Sequence, residues 1–120
     1  MFDIVNIAEE INSKLKELYD CRKQLKSAGD RKAAMISAYD LEYAKVTINL
    51  RNGIVYKIGE VEIDNPPVSL IDKLARGICY KERLDLDVAE NDYKSLSTTI
   101  NCIQAEINAL QTLYRHLDNR

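Results

Sequence analysis

The sequence predicts an all-α fold: an antiparallel coiled-coil helical hairpin with a short third helix at the bend, forming one helical domain over residues 1–120. Three observations lead there. First, Leu86, Ala89, Tyr93, Leu96, Ile100, Ile103, Ile107, Leu110, Tyr114 and Leu117 follow one another at alternating spacings of three and four residues. That rhythm averages about 3.5 residues, the period at which a helix keeps one seam facing a partner helix. Second, a weaker copy of the rhythm runs from Ile4 to Val46, through Ile7, Ile11, Leu18, Cys21, Leu25, Ala28, Met35 and Tyr39. Third, Asn52-Gly53 and Asn65-Pro66-Pro67 bracket a stretch that has no helical period.

The first helix is expected over residues 4–52. Asp3 or Asn6 can cap its start, and Glu9 would complete a capping box with Asn6. The three-four grid also predicts core positions at 14, 32 and 42, which hold Lys14, Lys32 and Glu42, so this seam is less pure than the second. Leu15, Tyr43 and Leu50 drift to its flank. Gly29 costs about 1 kcal/mol against alanine in a helix interior, but no proline is near and the helix is expected to continue through it. Gly53 is the expected stop, because glycine takes the left-handed geometry that closes helix ends.

Residues 53–67 form the connection. β-Branched and aromatic residues cluster on either side of Gly59, and either a small β-hairpin within 54–65 or an irregular extended connection fits them. Ser69 and Asp72 suggest a cap for a short helix over 69–76, ended by Gly77. The last helix is expected over 79–117. At about 1.5 Å per residue the seam from Leu86 to Leu117 covers roughly 48 Å, and the first helix roughly 70 Å. Folding back at the connection matches most of these lengths, and the short helix covers the surplus.

Composition narrows the function. Lysine and arginine total 17 against 19 acidic residues, a net charge of -2, which argues against a general nucleic-acid binder. No run of 18 apolar residues is present, and the start lacks the basic and apolar regions of a secretory signal, so no membrane partner is expected. Cys21, Cys79 and Cys102 are odd in number and widely spaced, as expected of free thiols in a reducing cytoplasm.

Chemistry-bearing clusters are few. His116 is the only histidine, and Cys102 lies about four helical turns away, so no thiol–imidazole dyad forms within the chain. Glu82, Asp85, Asp87, Glu90 and Asp92 read as a solvated acidic face that offsets the helix dipole. The four glycines stand apart, so there is no phosphate-cradling loop. No catalytic residue, metal or cofactor is expected. One basic cluster, Arg22, Lys23, Lys26, Arg31 and Lys32 around Asp30, is the candidate nucleic-acid contact. It spreads over more than one helical face and has no interleaved aromatic for base stacking.

The remaining signal is apolar surplus. Cys102, Ala109 and Leu113 widen the second seam near its end, while Val5, Ala8 and Leu15 widen the matching part of the first. A stripe that wide is expected to bury against two neighbours. The expected contact for a homo-oligomer or a helical protein partner is therefore Ile7, Ile11, Ile103, Ile107, Leu110 and Leu113.

Two resemblances add to this. The segment Pro67-Val68-Ser69-Leu70-Ile71-Asp72-Lys73-Leu74-Ala75-Arg76-Gly77, with Leu25-Lys26-Ser27-Ala28-Gly29-Asp30-Arg31, resembles a family of short uncharacterised phage and prophage coiled-coil proteins. That resemblance implies a non-enzymatic accessory role near recombination or single-strand-binding functions, in the host cytoplasm, and it carries over no catalytic residue. Residues 54–65 are an insertion relative to that pattern. Val55-Tyr56-Lys57-Ile58-Gly59 between two long helices is similar to the beta-type subunit of the prefoldin chaperone, which implies a client-binding role.

Overall fold

The computed structural model describes residues 3–119. Its elements run α1 (Ile4–Arg51), β1 (Tyr56–Ile58), β2 (Val61–Ile63), a 3-10 turn (Val68–Leu70), α2 (Ile71–Ile78) and α3 (Tyr80–Asp118). The two long helices pack against each other, and a small two-strand sheet is present. The chain divides into two compact units. One holds the residues up to Gly29 together with those from Asn91 on, and the other holds Asp30–Glu90.

In the first unit, Leu18 packs with Ile100, Ile103 and Ile107, with Cys21 and Leu25 at the edge. Contacts fall in opposite chain order on the two helices: Lys14 meets Glu106 and Gly29 meets Tyr93. Asp3 is the cap of α1. Its carboxylate accepts from the Val5 N–H at 3.3 Å and its carbonyl from the Ile7 N–H at 2.9 Å. Asn6 lies inside the helix, so the box with Glu9 is not formed at the start of α1.

The second unit has its own core of Val46, Leu50, Ile63, Ile71, Ala75 and Cys79. Leu50, which the sequence put on the seam's flank, lies at the centre of this core with 2 % of its surface exposed. Its backbone follows from local chemistry. After α1, the Ile54 N–H donates to the Asn49 carbonyl at 3.0 Å and the Gly53 N–H to the Leu50 carbonyl at 3.3 Å. These two bonds are the paired closure of a Schellman end, with Gly53 at φ +80° as its left-handed residue. β1 and β2 pair antiparallel, Ile58 opposite Val61, around Gly59-Glu60. Gly59 has φ +60° in the first central position, where a primed two-residue turn requires glycine. Asn49 Nδ2 donates to the Tyr56 hydroxyl at 2.8 Å and ties the hairpin to α1.

Two expectations about α2 are corrected. Ser69 lies in the 3-10 turn, and the residue preceding α2 is Leu70, with no side-chain cap. Pro66 and Pro67 set an extended entry, which the Leu70 N–H closes by donating to the Pro67 carbonyl at 2.9 Å. Gly77 does not end the helix. It lies inside α2, where the Ile58 side chain passes 3.5 Å from the space its missing Cβ would fill. The break comes at Cys79 (φ -85°, ψ 23°).

Candidate interaction surfaces

The seam positions on α3 are all buried or half-buried, from Leu86 to Leu117. On α1 the polar grid positions Lys14, Lys32 and Glu42 are half-buried too. Long side chains can lay an apolar stem in a seam and keep the charged tip at its rim. Lys14 does this: Nζ donates to Glu106 Oε2 at 2.7 Å and lies 3.6 Å from Glu17 Oε2. The hydrogen bond to Glu106 holds its pKa above the ordinary lysine value. Partial burial opposes this, and the charges of Glu106, Glu17 and Glu10 add to it.

Of the residues expected at an oligomer contact, Ile7, Ile103 and Ile107 are buried within the chain. Ile11, Leu110 and Leu113 are half-buried. Most of this apolar surface therefore serves the chain's own core. Val5 and Leu15 remain exposed beside it, as does Tyr19, whose ring carries the Lys23 ammonium 4.4 Å from its centroid. Arg22, Lys23, Lys26 and Arg31 are exposed, and Lys32 is half-buried. Within the acidic run, Asp87 accepts from Arg83 Nε at 3.2 Å.

The exposed large apolar side chains lie elsewhere. Among the described residues, only Val5, Leu15 and Tyr19 of that set fall outside Asp30–Glu90. Within it, α1 shows Leu41 and Ile48 seven residues apart, with exposed Ala44 between them. α3 shows Tyr80, Leu84 and Val88 at four-residue steps, and Val61 and Val68 stand out from the connection. The sequence held a signal for the α3 stripe: its spacing places it about half a helical turn from the seam residues Leu86 and Ala89. Apolar residues on opposite faces of one helix mean two neighbours rather than one.

The same unit carries a groove of about 550 Å³ lined by Tyr39, Asp40, Tyr43, Arg76 and Arg83. The tyrosine rings stack with centroids 6.0 Å apart, and the Arg83 guanidinium lies 5.7 Å from the Tyr39 centroid. Arg76 pairs with Asp72 at 3.3 Å and Arg83 with Asp87, so both cations already face carboxylates. Asp40 adds a further negative charge, and the groove has no net pull on an anion. No sequence signal marks it, because its walls come from three helices.

Cys79 is buried, Cys21 half-buried and Cys102 exposed, all as free thiols. Burial raises the Cys79 pKa, and the nearby charges of Glu82 and Glu42 raise it further. Among the described residues no group of three or more metal-ligating side chains converges, and no helix is long and apolar enough to cross a membrane. No protein-family model matches the chain, nor does any curated protein or solved structure.

Proposed function

We propose that the chain is a non-enzymatic accessory protein that works by helix-mediated association, with an antiparallel coiled-coil hairpin as its scaffold. The observation that carries this reading is the concentration of exposed apolar side chains on Asp30–Glu90. Large apolar side chains left uncovered in such number on one part of a chain are candidates for association, and where they adjoin they mark a site. The resemblance to phage and prophage proteins supports an accessory role of that kind. The basic cluster at 22–32 supports a nucleic-acid role less well, since its cations are spread around α1.

Light scattering over a concentration series, together with uptake of an apolar fluorescent dye, tests the reading. Association or dye uptake that falls when Leu41 or Leu84 becomes Glu is expected. Leu113→Lys tests the surface of Ile7, Ile11, Ile103, Ile107, Leu110 and Leu113 in the same way, and an unchanged mass would count against that contact. A chain that stays monomeric and takes up no dye would remove the proposal.

A chaperone-type reading draws support from one feature, the strand pair placed between two long helices. It requires that excess protein suppress aggregation of an unfolded client. No suppression at excess would discard it.

A further inference from the structure

The start of α3 carries two apolar faces. Leu86 and Ala89 are buried in the chain's own packing, while Tyr80, Leu84 and Val88 lie on the opposite side, exposed by 61, 60 and 43 %. The charges beside this second stripe are ordered. Lys81 and Asp85 follow Tyr80 and Leu84 by one residue, and so share one flank. Arg83 and Asp87 precede Leu84 and Val88 by one residue, and share the other. On each flank the cation comes first and the anion four residues later. A second copy laid antiparallel, with a two-fold axis beside Leu84, would bring each cation over the partner's anion on both flanks. A parallel copy would bring opposite flanks together, setting Lys81 beside the other copy's Arg83 and Asp85 beside its Asp87, with only Asp85 and Arg83 opposite in sign.

We infer that the partner of this stripe is a second copy of the chain, docked antiparallel through Tyr80, Leu84 and Val88. Lys81 then meets the other copy's Asp85, and Arg83 its Asp87. This rests on the association reading and gives it a surface and an occupant. Arg83 is already held by Asp87 of its own helix and lies over the Tyr39 ring, so the Lys81–Asp85 flank carries more of the pairing and Arg83 adds only its remaining donors. Isologous contacts of this kind use one patch twice, which a two-fold pairing requires. The seam is short. Three apolar side chains from each copy fall below the roughly 800 Å² per partner of a stable interface, so the dimer forms and dissociates with concentration.

Sedimentation of the full chain tests this. The wild type is expected to move from monomer to dimer as concentration rises, and Leu84→Glu to remain monomeric with unchanged helical content. Lys81→Asp alone and Asp85→Lys alone each place like charges across the axis twice, and each is expected to raise the dissociation constant by roughly tenfold. Mixed in equal amounts, those two variants restore complementary flanks and should form a heterodimer near wild-type strength. A dimer indifferent to these changes overturns the assigned surface. A wild type that is monomeric at every concentration overturns self-docking, while dye uptake or client binding would still leave the broader association reading standing.

Discussion

Lys14 donates to Glu106 across 2.7 Å from a position that the rhythm of α1 otherwise gives to apolar side chains. The lysine pKa is raised, so the pair's contribution is fully present below the ordinary lysine value. It is lost as pH rises through the raised one. Thermal melts followed by circular dichroism should show a larger alkaline loss in the wild type than in Lys14→Met, which keeps only the part due to Cys79. Lys14→Glu should melt lower than the wild type, more so at low salt, and adding Glu106→Lys should recover much of the difference. A double variant no better than the single one would mean the pair does not couple the helices.

Gly29 sits in the interior of α1, where a Cβ would lie 3.4 Å from the Tyr93 ring. That is ordinary contact distance, so Gly29→Ala should gain most of the helical preference, up to about 1 kcal/mol. Gly29→Val would drive a branch into the ring and should cost about 1–3 kcal/mol. Urea unfolding of both variants checks the difference in sign.

Leu50→Ala should cost about 2–5 kcal/mol, since it opens a cavity in the core beside Val46 and Cys79. Leu41→Ala, at 59 % exposure, should change stability by no more than about 0.5 kcal/mol. Equal effects in denaturant titration would contradict the separation of these two faces of α1.

A thiol-reactive probe should modify Cys102 first, Cys21 more slowly, and Cys79 only on unfolding. The raised pKa of Cys79 also sets a pH effect. Above the ordinary cysteine value the unfolded chain loses a proton that the folded chain keeps, so stability falls with rising pH through the raised value. Cys79→Ala should flatten that part of the profile.

Titration with DNA at low salt is expected to show no binding. A salt-sensitive isotherm that disappears when Arg22, Lys23 and Lys26 become Ala would favour the nucleic-acid role instead.

Much of this architecture was legible because helix pairing writes itself into spacing. Every α3 position from Leu86 to Leu117 on the three-four grid is at least half-buried, and even Lys14, Lys32 and Glu42 keep their grid places. Local punctuation was harder to read. Ser69 and Gly77 have the right chemistry for caps, but Pro67 and the close pass of Ile58 decide what their backbones do. The strands left both readings open because three residues each carry too little pattern. The apolar surplus shows in the sequence as width near Leu113. Width alone does not say which side chains the chain covers itself, and Ile103 and Ile107 were taken up within while Tyr80 and Leu84 were left out.

The pairing of Gly29 with Tyr93 also answers an ambiguity that repetition creates. A ladder of similar rungs fits itself again after a slide of seven residues. Such a slide would press Tyr93 against Arg22 or Ile36 and leave Glu106 facing Ile7 or Cys21. A small residue at position 29 leaves room for one ring, and the lysine is a tooth that meets one acid. Within the first unit, these two irregularities of the stripe set one alignment apart from its seven-residue shifts.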